Sequence, residues 1–117
     1  MISFDIFKKL MAFDARGGLC IEIFFVVSGD EKFDCCWMGK LYDKKAVEER
    51  FWFGLTPDGS YAFDYHTFEE FSTAPVFDGK SLLDLWDNIN IKEINGCDPS
   101  EMIEMYLSGS GGLCASQ

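Results

Sequence analysis

A turn between two aromatic segments is the feature that most constrains the fold of this chain. Residues 50–55 and 60–65 are rich in Phe, Trp and Tyr, and they flank the Thr-Pro-Asp-Gly sequence of residues 56–59. Proline sets the backbone angle that the second turn position requires, and glycine readily adopts a left-handed conformation. The pattern predicts a β-hairpin in which alternate side chains of each arm lie on opposite faces.

Three other segments are typical of strands. Residues 19–27 are rich in Ile, Val and Phe, and a turn at residues 28–32 separates them from residues 33–41. Residues 89–94 alternate isoleucine with polar side chains and end at an Asn-Gly pair. Residues 42–49 are polar and charged, which favours a loop or a short helical turn. Within residues 33–41, alternation predicts two strand faces. One carries Phe33, Cys35, Trp37 and Gly39, and the other carries Asp34, Cys36, Met38 and Lys40.

Helices are predicted at both ends of the chain. Residues 3–13 place Phe and Leu side chains at helical spacing, and the Gly-Gly pair at residues 17–18 is expected to end this segment. Three short helices are predicted to begin after Thr67, Ser81 and Asp98, because each of these capping residues precedes an acidic residue by three positions.

The order of these elements predicts an α+β fold. We expect an antiparallel β-sheet of about four to five strands, because consecutive strands joined by tight turns pair antiparallel. The N-terminal helix and two to three short C-terminal helices are expected to pack on one face of the sheet. Residues 1–107 are expected to form a single domain, and residues 108–117 a tail rich in glycine and serine.

Composition favours a cytoplasmic globular protein. The aromatic fraction is 16%, which is enough for a substantial core in a chain of 117 residues. The longest apolar run, residues 23–27, is far shorter than the roughly 20 residues of a membrane-spanning helix. The five cysteines are odd in number and include no Cys-x-x-Cys pair, which favours reduced thiols.

Charge is distributed unequally along the chain. Residues 1–50 contain 9 acidic and 8 basic side chains, whereas residues 51–117 contain 11 acidic side chains and only two basic ones, Lys80 and Lys92. The second half therefore has a net charge of −9 in a total of −10. Such a surface repels nucleic acids and anionic membranes, and it attracts a basic protein partner.

The acidic residues of this half divide into two groups. Four of them lie in predicted first helical turns, where the helix dipole favours a carboxylate. The other seven have no such local explanation, and we predict that they bind the partner: Asp58, Asp64, Glu69, Asp78, Asp87, Glu93 and Glu104. Trp52 joins this candidate site, because three consecutive aromatic residues on a strand cannot all face the core. An acidic surface that only aids solubility is the alternative.

Enzymatic function is the weaker hypothesis. His66 is the only histidine, Asp64 lies two residues away, and Cys35 or Cys36 are the candidate nucleophiles of a small cysteine-dependent enzyme. No family signature surrounds these residues. The cysteines and the histidine lack zinc-ligand spacing, and no glycine-rich loop connects a strand to a helix as phosphate binding requires. We therefore predict no catalytic site, no cofactor and no metal.

In size, charge and structural class the chain resembles small bacterial immunity proteins. Those proteins bind and neutralise a cognate toxin, often a basic nuclease, and phage inhibitors that mimic the charge of nucleic acid share the same profile. The resemblance assigns no individual residue. It implies a non-enzymatic domain that binds a basic partner through an acidic surface with exposed aromatic residues. The alternatives are the cysteine-dependent enzyme and a domain that self-associates, and the expected state is a monomer or a weak homodimer.

Overall fold

A computed structural model describes residues 2–108 of the chain. A five-stranded antiparallel sheet lies at its centre in the order β4-β3-β2-β1-β5. The strands are β1 (Ile21–Val27), β2 (Cys36–Asp43), β3 (Glu48–Gly54), β4 (Ala62–Tyr65) and β5 (Ile89–Ile94). The helices are α1 (Phe4–Leu10), α2 (Phe68–Thr73) and α3 (Pro99–Leu107). The prediction of an α+β fold with an antiparallel sheet and an N-terminal helix is confirmed.

The hairpin predicted around residues 56–59 connects β3 and β4. Gly59 has φ of +78°, as a left-handed turn position requires. Phe51 and Phe53 on β3 lie opposite Tyr65 and Phe63 on β4. The alternation within this hairpin therefore places Phe51 and Phe53 on one face of the sheet and Trp52 on the other.

Two predictions for the segment before this hairpin were wrong. Phe33 does not belong to β2 but ends a 3₁₀ helix, Glu31–Phe33, because the Asp30 side chain accepts a hydrogen bond from the Lys32 amide (3.0 Å) and caps that helix. Residues 42–49 are not a loop or a helical turn throughout, because only residues 44–47 form a turn. They are the ends of β2 and β3 with a tight turn between them, in which Asp43 Oδ1 accepts from the amides of residues 45 and 46.

The helix predictions had mixed outcomes. α1 ends at Leu10 instead of residue 13, whereas α2 and α3 begin directly after Thr67 and Asp98, as predicted. Ser81 and Asp84 form the expected pair of reciprocal hydrogen bonds (3.0 Å each), but no α-helix follows. One helical turn is succeeded by a 3₁₀ helix, Trp86–Asn88, because β5 starts at the next residue. None of the helices within residues 2–108 has the length and apolar character needed to cross a membrane.

The core lies on one side of the sheet, which we call the inner face. A chain of ring contacts connects the helices with the strands, and the closest is the stack of Phe53 on Phe71, with centroids 4.3 Å apart. α1 and α2 cover this face with their aromatic side chains, whereas α3 lies against β5 and α1. The rings involved are Phe4, Phe7, Phe25, Phe33, Phe51, Phe53, Phe68, Phe71, Phe77 and Trp86.

Candidate protein-binding surface

The opposite side of the sheet, which we call the outer face, carries a second set of aromatic residues. Phe24 on β1 lies directly across from Trp37 on β2, and their ring centroids are 5.2 Å apart. Helix α2 packs on the inner face, and Trp37 and Leu41 on the outer face are 37% and 39% exposed. Large apolar side chains in water on a sheet face are typical of a surface that binds another molecule.

The two tryptophans of β2 and β3 each lie opposite a glycine. Trp52 faces Gly39, and its indole lies so close over that residue that a β-carbon there would be 2.7 Å from the ring. Trp37 faces Gly54, where a β-carbon would have no neighbouring heavy atom within 4 Å. One glycine is therefore covered by an indole, and the other has open space above it on the outer face, which we call the recess at Gly54.

Charged side chains surround these aromatic residues. Arg50 contacts the carboxylates of Glu48 (3.1 Å), Asp43 (3.3 Å) and Asp64 (3.7 Å), and His66 Nδ1 lies 2.9 Å from the same Glu48. Glu22 and Glu93 lie at the other end of the face, across β1 and β5. Because one guanidinium is shared by three carboxylates, the outer face has an excess of negative charge.

Three of the predicted partner-binding residues lie on this face. Trp52 and Asp64 are direct cross-strand neighbours on β3 and β4, and Glu93 lies opposite Phe24 on β5. Asp64 and Glu93 are on the two edge strands, so roughly 19 Å separates them at about 4.8 Å per strand. They therefore border the aromatic residues from both sides.

Two other predicted residues have local structural roles. Asp58 accepts hydrogen bonds from the Ser60 amide, the Ser60 hydroxyl and the Thr56 hydroxyl at the tip of the hairpin. These bonds, led by the one from the Ser60 amide, lower the pKa of Asp58 to about 2. Asp78 binds Lys32 Nζ at 2.7 Å and occupies a turn position with φ of +55°.

Glu69, Asp87 and Glu104 lie in the helical part of the molecule. Glu69 is in the first turn of α2, Asp87 in the 3₁₀ helix that precedes β5, and Glu104 in α3. The seven carboxylates thus do not share one face. Two of the seven also have cationic partners, which a charge count of each half-chain could not show. Asp64 and Asp78 pair with Arg50 and Lys32, which belong to the nearly neutral first half.

Lys40 is a buried cation that the sequence analysis did not single out. Its ammonium donates hydrogen bonds to the carbonyls of Met11 (2.9 Å) and Phe13, and it lies 3.3 Å from Glu49 Oε2. Burial lowers the pKa of Lys40, against the opposing effect of Glu49. The predicted alternation placed Lys40 on the same strand face as Cys36 and Met38. A lysine among apolar side chains on one face could have indicated a buried cation.

The structure separates both candidate cysteines, Cys36 and its neighbour Cys35, from His66. Cys36 is buried on the inner face with its thiol 3.6 Å from the Leu55 carbonyl, and burial raises its pKa to about 12. His66 follows Tyr65, which pairs with Phe51, whereas Cys36 lies beside Leu55 at the other end of β3. Cys36 and His66 are therefore four to five residues apart along β3, or roughly 15 Å. His66 and Cys36 also lie on opposite faces, and a direct proton transfer between them would require contact.

Neither a metal site nor an anion site is evident in residues 2–108. That part of the chain holds no cluster of three His, Cys, Asp or Glu side chains suited to a metal ion. A cavity of about 320 Å³ lies between β5, Trp86 and the start of α3. Asp98 already accepts hydrogen bonds from the first free amides of α3, those of Ser100 and Glu101, so an anion would compete with a carboxylate there.

Comparisons of the chain with protein-family models, with curated proteins and with solved structures give no match. The comparisons therefore assign no family or function to the outer face of the sheet.

Proposed function

We propose that this chain is a non-enzymatic protein-binding domain of the immunity type, which neutralises a basic partner such as a toxin nuclease. The observation that supports the proposal is the outer face, where Phe24, Trp37 and Trp52 lie in an acidic surrounding on the side of the sheet opposite α2. Aromatic anchors inside a polar rim are where protein interfaces concentrate their binding energy. The partner is a protein whose contact surface is basic and includes an apolar or planar group.

The two kinds of side chain on the outer face have separate tasks. Carboxylates such as Asp64 and Glu93 accelerate the encounter with a cationic surface, and they act over about 8–10 Å at ordinary salt concentrations. The indoles of Trp37 and Trp52 slow dissociation, because their burial removes apolar surface from water. A nuclease would be inhibited by occlusion, since its cationic groove would be covered by a surface of opposite charge.

The proposed interface extends beyond the sheet itself. Five strands give a face of roughly 19 Å across, and a standard interface buries about 800 Å² on each partner. The β3–β4 hairpin projects from one edge of this face, and Asp58 at its tip is held in one conformation by Thr56 and Ser60. We propose that this tip forms part of the rim.

The test is a capture experiment with three immobilised proteins from this chain. These are the wild type, the double variant Trp37→Ser and Trp52→Ser, and the control variant Leu83→Ser, which removes a side chain that is 45% exposed away from the outer face. Extract of the native organism is applied at low salt, and bound proteins are eluted in about 0.5 M salt, where attraction between exposed charges is screened. The eluted proteins are identified and assayed for nuclease activity.

We expect the wild type and Leu83→Ser to retain the same basic protein and the double variant to lose it. Adding wild-type protein to the eluted partner should abolish its nuclease activity. Retention that is indifferent to salt, or equal retention by the double variant, would contradict the proposal.

A further inference from the structure

Of the two glycines that lie opposite a tryptophan on the outer face, Gly54 is the one with open space above it. Trp37 on β2 and Ala62 on β4 lie directly across from Gly54, and Trp52 is two residues earlier on the same face. The Trp37 ring lies beside Phe24 and the Trp52 ring lies over Gly39, so neither indole fills the space above Gly54. The recess is thus bordered by two indoles and by a methyl group.

A carboxylate lies diagonally across this recess. Asp64 follows Ala62 by two residues on β4, so its side chain is on the same face, and diagonal neighbours of a sheet are roughly 7–8 Å apart. Its side chain is 61% exposed, and its contact with Arg50 at 3.7 Å is longer than a direct hydrogen bond. The oxygens of Asp64 therefore remain accessible to a donor that enters from solvent.

We infer that the recess at Gly54 receives an arginine side chain of the protein partner, with the guanidinium against the indoles of Trp37 and Trp52 and bonded to Asp64. The inference rests on the proposed protein-binding function and names the group that the surface recognises. A guanidinium is planar, stacks on aromatic rings and binds a carboxylate through two parallel hydrogen bonds. An ammonium has the same charge but not this shape, and a neutral side chain would give Asp64 no charged partner besides Arg50.

The probes are three capped tripeptides of sequence Gly-x-Gly, in which x is arginine, lysine or citrulline. Citrulline has nearly the shape of arginine without its charge, so it separates charge from shape. Each peptide is titrated at low salt into ¹⁵N-labelled protein, and the indole N–H signals of the three tryptophans are followed. Trp86 is the internal reference, because it is buried and its Nε1 donates a hydrogen bond to the Ile2 carbonyl.

The matched variants are Gly54→Val, which fills the recess, and Gly17→Val, which alters a glycine of the α1–β1 connection that also has no atom within 4 Å of a β-carbon. Neither glycine has a left-handed φ, so both variants are compatible with the backbone. Asp64→Asn removes the charge at the diagonal position with little change of shape.

With wild-type and Gly17→Val protein, we expect the arginine peptide to move the Trp37 and Trp52 signals and to leave Trp86 unchanged. The shifts should disappear in Gly54→Val, and the titration midpoint should rise about tenfold in Asp64→Asn, as for the loss of a charge-assisted contact. Absent shifts with arginine, equal shifts with citrulline or lysine, or shifts that persist in Gly54→Val would each overturn the inference.

The capture experiment distinguishes this inference from the proposed function. If the partner is retained by wild type and equally by Gly54→Val, the protein-binding function stands and the arginine recess is wrong. If the arginine peptide binds as expected but no basic protein is captured, the recess stands and the proposed function is wrong.

Discussion

The two faces of the sheet are built from alternate residues of the same strands, yet they differ in almost every physical respect. On β3, Phe51 and Phe53 are buried against Phe71 of α2, whereas Trp52 between them lies on the opposite side of the sheet. Aromatic content alone does not therefore define the core of this protein. Position on the strand decides which rings hold the fold together and which remain available to another molecule.

Replacement of one ring on each face is the strongest test of this comparison. Phe53→Ala should lower the free energy of unfolding by about 3–5 kcal/mol, because Phe53 is 1% exposed and stacks on Phe71. Trp37→Ala should lower it by only about 1 kcal/mol, since much of its ring already contacts water. Chemical denaturation measures both values. Equal losses would show that the outer face is part of the folding core.

The neighbours Lys40 and Leu41 extend the comparison to a charged residue. Lys40→Met should lower the free energy of unfolding by about 3 kcal/mol, because Glu49 and the carbonyls of Met11 and Phe13 lose their shared donor. Leu41→Ser on the outer face should change it by at most about 0.5 kcal/mol. Thermal and urea unfolding of both variants provides the measurement, and a Lys40→Met variant as stable as wild type would contradict the prediction.

The two glycines of the outer face sharpen the contrast within that face. Gly39→Ala should be destabilising by about 1–3 kcal/mol, because its β-carbon would overlap the Ile21 carbonyl oxygen and lie against the Trp52 ring. Gly54→Ala should be neutral or stabilising by up to about 1 kcal/mol, because alanine restricts the unfolded chain and meets no atom in the recess. The sign of the difference, measured by urea unfolding, is the decisive result.

The adjacent cysteines give an effect that is absent at neutral pH and develops only in alkaline solution. Burial raises the pKa of Cys36 from 9.0 to about 12, so the unfolded thiol ionises at lower pH than the folded one. The stability from this group is complete below pH 9 and is lost between pH 9 and about 12, by up to about 1.4 kcal/mol per pH unit. Wild type should therefore lose stability more steeply with pH than Cys36→Ala.

Cys35→Ala is the matched control for this last prediction. Cys35 precedes β2 and is only partly buried, and Cys35→Ala keeps the buried Cys36 thiol, so this variant should retain most of the alkaline slope of stability. Unfolding curves between about pH 8 and about pH 11, a range that includes the ordinary thiol pKa of 9.0, compare the three proteins. Parallel slopes for wild type and Cys36→Ala would show that the Cys36 thiol is not protected by the core.

Much of the fold followed from local patterns in the sequence. The turn at residues 56–59 and the caps at Thr67 and Asp98 specify their elements through backbone angles and hydrogen bonds within a few residues, and these predictions were confirmed. The capping pair of Ser81 and Asp84 formed without its helix, because the position of β5 limited the length of the segment. Propensity describes how an element begins, whereas tertiary context decides how far it continues.

The candidate surface was less accessible to prediction. The placement of Trp52 opposite the core followed from alternation, but Phe24, Trp37 and the recess at Gly54 depend on which strands are neighbours. The ion pairs of Asp64 and Asp78 connect residues 14 and 46 positions apart, so counts of charge along the chain could not reveal them. Strand order and pairing partners are properties of the whole fold.

The contacts of Lys40 also have a consequence for the way in which the molecule unfolds. Its ammonium, fixed on the central strand β2, binds the two carbonyls that follow α1. Detachment of α1 would break both of these hydrogen bonds together with the ring contacts that Phe4 and Phe7 make with Phe68 and Trp86, so partial opening of the N-terminal segment is costly. The amides of α1 should then exchange with deuterium at rates close to those of the sheet, and the N-terminal helix and the sheet should behave as one cooperative unit.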